Sequence, residues 1–384
     1  MTTSDNAICD FCGAQALAGI YAPSDTNRAA KVSVCERCGL VQTVYGLISY
    51  ERHSPSISSG AGWGNIRHGK GLRLDANKEL LERYVPDSGS RILDIGANRG
   101  DFIDWLSVAR PNASIYAIEP DTTLHHLYQS NSKVSIIGDR LEQLVLENES
   151  YDFVFCLHTL EHAASARGML QQARNSLRRD GYMLVEIPDL ELINDDLIVE
   201  DFFIDKHSYH FDDSTLRRCF AAVGLKVVDQ LPSDGRNLNY VLQVCDPSEM
   251  QMDTEVSQVN IANIRRYVST LELNRSRLAN VAQQISTMSQ RQRVGIWGAS
   301  RIFDALVRFG GLKTEGLLVI DDYLAGKVER LHGAAINRSS ILRVEKPQVL
   351  FVLAKGSANQ IEKLARSFGV KNIVTFDDML SQLA

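Results

Sequence analysis

The stretch "RILDIGANRGDFIDWL", residues 91–106, predicts an α/β fold. Its first part, "ILDIG", is a short apolar strand, "ANRG" is a turn, and "DFIDWL" begins an amphipathic helix. In an open α/β sheet, a glycine-bearing turn between strand and helix lies at the carboxyl ends of the strands, where such sheets accept a nucleoside. We therefore expect a nucleoside-binding α/β domain around this turn.

The segments that follow place polar side chains at the same edge of the predicted sheet. The strand "SIYAIEPD" ends near Glu119, where a carboxylate can accept hydrogen bonds from both ribose hydroxyls. The next strand, "VSIIGD", ends in Asp139, which is placed to meet an adenine. A fourth strand lies in "YDFVFCLHTLEH", and we expect His158, at its exit, to line the cofactor cleft.

The composition of the turn separates two classes of cofactor. A dinucleotide fingerprint needs glycine where Asn98 stands, because the backbone must approach a pyrophosphate there. S-adenosylmethionine has no phosphate, and Asp94 at the strand end would suit its ammonium group. We predict this cofactor; an α/β domain that binds no cofactor stays the alternative. The predicted cofactor-binding residues are Asp94, Gly96, Asn98, Gly100, Glu119, Asp139 and His158.

Two CxxC pairs near the N-terminus predict a metal site. Cys9 and Cys12 form the first pair, Cys35 and Cys38 form the second, and 22 residues separate the pairs. Four thiolates from two such knuckles converge tetrahedrally on zinc, and sulfur then fills every position, which indicates a structural ion. Disulfide formation is the alternative, and a cytosolic setting disfavours it.

Charge and hydropathy limit the partners. The net charge is −6, so no basic footprint for nucleic acid is expected. No apolar run approaches the length of about 18 residues that predicts a membrane-spanning helix. We expect a cytoplasmic protein that acts on a small molecule, with neither nucleic acid nor a membrane as partner.

The C-terminal third repeats the β/α pattern. Residues 247–292 are polar with apolar residues at helical spacing, which predicts one or two connecting helices. Only Gly295 and Gly298 fit a dinucleotide turn, and Asp321 or Asp322 could contact a ribose, so a substrate-holding domain and a purely structural one both stay open. Strands are predicted in "RVGIWGASRIFDALVRFGG", "GLLVIDDY", "PQVLFVLAKG" and "KNIVTF".

These features divide the chain into three predicted parts. Residues 1–75 form a zinc-binding and substrate-loop module, and residues 76–246 form the domain that binds S-adenosylmethionine. Residues 247–384 form a helical connector followed by a smaller β/α domain that binds substrate. Within the first part, the Ser- and Gly-rich stretch 54–71 is either a linker or a substrate-facing loop.

The motifs resemble those of known enzymes. "DIGANRGDF", "AIEPD" and "IIGD" are similar to motifs of the class I S-adenosylmethionine-dependent methyltransferases, over roughly residues 85–230. With a zinc module ending in "CERCGLVQ" and a last domain opening with "GIWGASR", the layout resembles the sugar C-methyltransferases, which act on nucleotide-linked deoxyketosugars. The resemblance implies a central Rossmann-like domain and methyl transfer, through an enolate, to a carbon beside a ketone. A methyltransferase that acts on oxygen or nitrogen of a sugar or another small molecule is the alternative. A binding protein that keeps only the methyltransferase shell is the third hypothesis.

The resemblance also implies catalytic residues in "DKHSYHF", residues 205–211. The family has a Glu-His pair here, followed three residues later by an aromatic pair. His207 aligns with the family's base, Lys206 replaces the glutamate, and His210 stands where the family has tyrosine. We predict these three as catalytic. Either Asp205 takes over from the glutamate, or Lys206 serves as the electrophilic partner of an enolate oxygen.

Two other sets of residues are assigned from the same resemblance. The family places a catalytic tyrosine before a serine pair, and Tyr50 or His53 stands there in this chain. The "LEH" of Glu161 and His162 recurs across many such enzymes, so we predict a scaffolding role for both.

Overall fold

The computed structural model describes residues 7–23, 30–45, 72–87, 89–203, 207–232, 236–299 and 301–381. They form two compact units. Unit 1 takes in the described residues of 1–54, 69–194 and 202–265, and unit 2 takes in those of 195–201 and 266–384. The N-terminal cysteines and the turn that is predicted to bind a nucleoside therefore lie in one unit. The boundaries of the three-part division stay a prediction.

In its described residues, unit 1 contains two sheets and four helices of its own. Its strands are β1 (Leu17–Tyr21), β2 (Ala30–Cys35), β3 (Val41–Tyr45), β4 (Arg91–Ile95), β5 (Ser114–Ile118), β6 (Val134–Gly138), β7 (Tyr151–Leu157), β8 (Leu177–Pro188), β9 (Tyr209–His210), β10 (Leu225–Gln230) and β11 (Asn237–Val244). Its helices are α1 (Leu72–Tyr84), α2 (Asp101–Ala109), α3 (Ala166–Ser176) and α4 (Asp213–Val223), and its 3₁₀ turns are Thr122–Leu127, Leu141–Gln143, Leu160–His162 and Leu190–Asn194.

The larger sheet has seven strands in the order β10-β11-β8-β7-β4-β5-β6. The strands from β4 to β8 are parallel, and β11 runs antiparallel to both β8 and β10. β4 lies in the middle and is apolar because both of its faces are covered: Ile92 belongs to one hydrophobic cluster and Leu93 to another. The predicted α/β fold is confirmed for this unit, and the four predicted strands are β4 to β7.

The strand β8 begins earlier than the composition of its first residues suggests. The stretch "LRRDGYMLVEIPD", residues 177–189, has a charged start, but α3 ends at Ser176 and residues 177–188 are all strand. Leu177 pairs with Tyr151 of β7, so the strand begins directly after the helix. The charged residues 178–180 are exposed, which accounts for their polar, helix-like composition.

The smaller sheet holds the N-terminal cysteines and reaches the predicted catalytic segment. β1, β2 and β3 form an antiparallel meander, and the fourth strand, β9, comes from the distant segment "DKHSYHF". Val41 pairs with His210, and Gln42 pairs with Tyr209. The buried Phe11 meets the edge of Phe211, with 6.4 Å between ring centroids, so the cysteine module shares a hydrophobic core with the larger sheet.

Unit 2 contains a second α/β sheet, with strands in the order β14-β15-β13-β12-β16-β17. Its strands are β12 (Val294–Trp297), β13 (Leu318–Ile320), β14 (Arg330–Leu331), β15 (Ala334–Asn337), β16 (Val349–Val352) and β17 (Ile373–Thr375). Its helices are α5 (Thr254–Ser289), whose residues up to 265 belong to unit 1, α6 (Arg301–Arg308), α7 (Ala358–Ser367) and α8 (Phe376–Ser381), with 3₁₀ turns at Ser339–Arg343 and Lys355–Ser357.

The predicted elements of unit 2 are present. The four predicted strands correspond to β12, β13, β16 and β17. Of the strand pairs in the described part of this sheet, β14 with β15 is antiparallel and the others are parallel. The predicted connector is a single helix, α5, of 36 residues. In the part of the chain that the structure describes, no helix has the length and apolar composition needed to cross a membrane.

Candidate active site

The turn after β4 requires its glycines. Gly96 and Gly100 adopt φ of 85° and 78°, and Asn98 adopts φ of 48°, a region that side chains other than those of Asn and Asp enter rarely. A Cβ on Gly96 would lie 2.2 Å from Oγ1 of Thr159. The hydroxyl of Thr159 is fixed there, because it donates to the carbonyl oxygen of Ile95 at 3.0 Å. The close approach of these two loops accounts for the glycine that the sequence prediction singled out.

Asp94, at the end of β4, is a buried carboxylate that suits a cationic partner. Its side chain is 3% exposed, and among the described residues none donates a hydrogen bond to its Oδ2. Burial, with smaller contributions from Glu119 and Asp101, raises the pKa of Asp94 to about 7. An ammonium group would satisfy the free oxygen and favour the ionised form. This site therefore fits the amino group of S-adenosylmethionine.

Glu119 lies at the end of β5, as predicted for the ribose-binding acid. Its Oε2 accepts a hydrogen bond from the backbone N–H of Asn98 at 2.6 Å, and its Oε1 accepts one from Asp121 at 2.7 Å. Burial raises the pKa of Glu119, and these two backbone hydrogen bonds work in the opposite direction. Each carboxylate oxygen can accept more than one hydrogen bond, so ribose hydroxyls remain possible donors.

A small pocket opens at the carboxyl ends of these strands. Gly96 and Asp139 line it, as predicted for the cofactor, and Thr159 and His162 line it beside them. Thr159 and Tyr128 were missed by the sequence reasoning. The ring of Tyr128 lies 2.8 Å from where a Cβ on Gly100 would stand, and its hydroxyl is buried with no hydrogen-bond partner among the described residues. Neither residue type is diagnostic in a sequence, since their roles come from loop packing.

His158 occupies a different environment from the one expected. Its backbone φ is 50°, and its ring lies between two buried carboxylates. Nδ1 is 3.3 Å from Oε1 of Glu161, and Nε2 is 2.9 Å from Oε1 of Glu186. Glu186 also accepts a hydrogen bond from Asn77. A cofactor contact by His158 stays a prediction, and the contacts observed are with Glu161 and Glu186.

The segment after β7 and the segment before β9 meet at a cluster of Glu161, His162 and His207. Their ligand atoms, one carboxylate oxygen and two imidazole nitrogens, all lie within 4.8 Å of one another. The two imidazole rings are 4.8 Å apart between centroids, and the backbone N–H of Ser208 donates to the carbonyl oxygen of Glu161 at 2.7 Å. The sequence prediction treated Glu161 and His162 as scaffold, and the fold brings both to the predicted base.

Glu161 is an ionised carboxylate inside the protein. It is 1% exposed, and among the described residues none donates a hydrogen bond of good geometry to either oxygen. Burial alone would raise the pKa of Glu161, but His158, His162 and His207 together hold it at about 2. A buried negative charge of this kind needs a nearby cation.

His210, unlike His207, is not part of the cluster with Glu161 and His162. His210 is 3% exposed, its Nε2 lies 2.9 Å from Oγ1 of Thr43, and its ring packs against Phe203 at 4.7 Å. Burial lowers the pKa of His210 to about 3, so the ring is neutral at pH 7. Its catalytic role stays a prediction. Lys206, with Asp205, Tyr50, His53 and the stretch 54–71, lies outside the described residues.

The four predicted metal-binding cysteines come together. Their Sγ atoms lie within 4.8 Å of one another, with 3.6 Å between those of Cys9 and Cys38 and 3.5 Å between those of Cys12 and Cys35. Sulfur atoms about 2.3 Å from a tetrahedral zinc ion are separated by similar distances. None of the four is in a disulfide. The donor set and its spacing fit zinc.

In unit 2, the two aspartates after β13 accept hydrogen bonds from backbone N–H groups. Oδ2 of Asp321 accepts a hydrogen bond from the backbone N–H of Ala299 at 3.0 Å, and Asp322 accepts one from Ser339 at 2.7 Å. Gly298 has φ of 107° and a Cβ there would lie 3.0 Å from the backbone nitrogen of Ala354. These contacts account for the glycine and the first aspartate without a nucleotide.

The sequence also matches a known family. The family described as "Methyltransferase domain" matches residues 69–230, the segment that carries the turn after β4, Glu119 and the cluster around Glu161. Residues 69–230 thus match a methyltransferase domain. The predicted enzyme class and cofactor are confirmed at the level of this methyltransferase domain.

Similar proteins share parts of the chain. A tRNA U34 carboxymethyltransferase of Desulfotalea psychrophila is 27% identical over 123 residues, which is 30% of this chain and 38% of that protein. A S-adenosylmethionine-dependent methyltransferase of Aquifex aeolicus has a TM-score of 0.39 at 13% identity, covering 48% of this chain and 97% of its own. One from Mesorhizobium loti has a TM-score of 0.37 at 13% identity, covering 44% and 97%. The chain thus spans well under two thirds of its curated relative.

Proposed function

We propose that this protein transfers a methyl group from S-adenosylmethionine to a nucleotide-linked deoxyketosugar, at the carbon beside the ketone. The observation that carries the proposal is the position of the Glu161–His162–His207 cluster. His162 lines the same pocket as Gly96 and Asp139, so groups able to activate an acceptor lie next to the cofactor-binding turn. The sugar itself is proposed from the resemblance of "CERCGLVQ" and "DKHSYHF" to the sugar C-methyltransferases.

Residues of the turn would hold the cofactor. Asp94 would accept the ammonium group, Glu119 the ribose hydroxyls, and Asp139 the adenine. Bound in this way, S-adenosylmethionine supplies an electrophilic methyl group on a sulfonium. The protein's task is then to align the acceptor with that methyl group and to exclude water from the pocket.

The acceptor must be activated, because a carbon beside a ketone is not nucleophilic until it loses a proton. One group must promote removal of that proton, and another must stabilise the enolate oxygen. We assign this work to the cluster, with His207 as the member on which turnover depends. His210 would position the segment through Thr43, and Lys206 stays a predicted partner of the enolate oxygen.

The cysteines have a supporting role in the same proposal. Zinc bound by Cys9, Cys12, Cys35 and Cys38 would hold the knuckles that pack on the methyltransferase domain. Asp10, between the first two cysteines, accepts hydrogen bonds from the Ser165 hydroxyl at 2.7 Å and from the Arg167 backbone at 2.9 Å. With four sulfur ligands no position is left for substrate, so the ion would be structural.

Replacing His207 tests the assignment. H207A should abolish methyl transfer, and it should also abolish exchange of deuterium from solvent into the carbon beside the ketone, while the Kd for S-adenosylmethionine stays within about twofold. The matched control is H126Q, because His126 is exposed on the turn Thr122–Leu127 in the same unit, where a ring nitrogen lies 2.7 Å from the carbonyl oxygen of Thr123. Normal turnover in H207A would refute the role given to His207.

A hydroxyl acceptor is the second candidate. The observation that favours it is Lys206 in place of the family's glutamate, since a hydroxyl needs no enolate chemistry. Turnover without any deuterium exchange beside the ketone would select this candidate. Binding of S-adenosylmethionine without turnover on any acceptor would favour the non-catalytic hypothesis.

A further inference from the structure

We infer that Glu161, His162 and His207 form a binding site for a divalent metal ion, separate from the four-cysteine site. The inference deepens the proposed function and rests on it for the identity of the acceptor. The ion that the cluster would bind is a first-row divalent cation. His207 would then coordinate the metal, whereas the resemblance implies that it acts as a base.

The donor set carries the first part of the argument. Two imidazole nitrogens and one carboxylate oxygen suit Mn²⁺, Fe²⁺, Co²⁺ or Zn²⁺, and three such ligands on one side of an ion leave positions for other oxygens. The three atoms lie within 4.8 Å of one another. An ion with bonds of about 2.0–2.2 Å would draw them to about 3 Å apart.

The charge of the cluster supports the same conclusion. Glu161 is 1% exposed, and Nδ1 of His158 lies 3.3 Å from its Oε1 without the geometry of a good hydrogen bond. Glu186, also 1% exposed, adds a second buried carboxylate on the far side of His158. A cation bound at Glu161 would therefore lie on the same side of the protein interior as two buried carboxylates, both of which contact the ring of His158.

The surroundings match those of a metal site with open positions. His158 contacts both Glu161 and Glu186. Residues that contact a metal ligand in this way commonly orient it toward the ion. His162 is 36% exposed in its side chain and lines the pocket of the methyltransferase domain, so water and an acceptor can reach the ion.

The ion would bind two oxygens of the acceptor. A ketone oxygen and a neighbouring hydroxyl are the natural pair, since both present lone pairs at the spacing of a chelate. The cation would then stabilise the negative charge on the enolate oxygen, and the proton from carbon would pass to water. An acceptor without two adjacent oxygens should bind poorly.

Binding of Mn²⁺ to the full chain, with zinc present in the cysteine site, tests the inference without any acceptor. Mn²⁺ prefers oxygen and nitrogen ligands to thiolates, so it should not displace zinc. The electron paramagnetic resonance signal of unbound Mn²⁺ gives the bound fraction in a titration, and we expect a stoichiometry of one Mn²⁺ ion per chain. In E161Q and in H162Q the affinity should fall by more than the roughly 10- to 100-fold that loss of an outer partner costs, while H126Q should bind like the unmodified protein.

Three outcomes separate the inference from the proposed function. No Mn²⁺ binding, or binding that either folded E161Q or folded H162Q retains at the unmodified affinity, overturns the inference even if keto sugars are methylated. Specific Mn²⁺ binding that both variants lose supports the inference, whether or not keto sugars are methylated. If keto sugars are not methylated, the proposed function fails and the metal site stands. Melting curves of the variants show whether a loss of binding reflects loss of fold, and a folded E161Q that still binds Mn²⁺ contradicts the site directly.

Discussion

Oγ1 of Thr43 and Nε2 of His210 share a hydrogen bond of 2.9 Å that ties the cysteine module to the predicted catalytic segment. The two residues belong to neighbouring strands, β3 and β9. The same strand pair includes Tyr45, whose hydroxyl donates to the carbonyl oxygen of His207 at 3.2 Å. The geometry of His207 therefore depends on the sheet that also carries Cys35, at the end of β2.

Removing the hydroxyl of Thr43 tests this dependence. T43V leaves a buried imidazole nitrogen without its partner, which should lower the free energy of unfolding by about 1–3 kcal/mol. Turnover should fall because the segment of His207 loosens, and the Kd for S-adenosylmethionine should change little. T287V serves as the control, since the Thr287 hydroxyl donates only to its own helix, at Gln283. An equal effect of both substitutions on turnover would contradict the link.

Loss of zinc should lower turnover more than it lowers the affinity for S-adenosylmethionine. C38S removes one of four ligands, and the knuckle that contains Cys38 precedes β3 directly. We expect a lower melting temperature, release of about one zinc ion per chain on mild chelation, and a larger loss in kcat than in affinity for S-adenosylmethionine. C245S, at a half-buried cysteine outside the cluster, should change none of these quantities. A chain that retains zinc and full turnover after C38S would refute a four-cysteine zinc site.

Cofactor affinity should depend on pH through Asp94. The pKa of this carboxyl is raised to about 7, so in the cofactor-free protein it becomes protonated as the pH falls below 7. Binding an ammonium group requires the ionised form, and the affinity should therefore drop by about tenfold for each pH unit below 7. The same shift makes the ionised carboxyl destabilise the cofactor-free fold as the pH rises from about 4 to 7.

Titration calorimetry between pH 5 and pH 8 checks the prediction for Asp94. D94N should bind S-adenosylmethionine weakly at every pH and without the slope, whereas D180N, at an exposed acid, should retain both affinity and slope. A slope that survives in D94N would show that another group controls the binding.

The local geometry of the candidate cofactor site could largely be predicted because its signals lie close together in the sequence. The turn from Asp94 to Gly100 lies within seven residues, and its glycines are required by backbone angles and by the approach of Thr159. Glu119 follows from the position of a strand end. Such features depend on neighbours along the chain, which a sequence pattern records directly.

The acceptor side depends on contacts between distant segments, and the sequence records these poorly. Glu161 comes after β7 and His207 comes before β9, so nothing in either segment indicates that their side chains meet. Lys206 stands where the resembled family has a glutamate, and the fold instead brings Glu161, from a distant segment, beside His207. His210 is similar, since only the pairing of β9 with β3 explains its burial.

The most direct test is to incubate the protein with S-adenosylmethionine and matched pairs of nucleotide-linked sugars, one a 4-keto sugar and the other its reduced form. Product mass and S-adenosylhomocysteine are followed together, with tRNA included as a further acceptor. The account predicts a gain of one methylene unit on the keto sugar alone, accompanied by an equal amount of S-adenosylhomocysteine. Methylation of the reduced sugar or of tRNA, with none on any keto sugar, would contradict it.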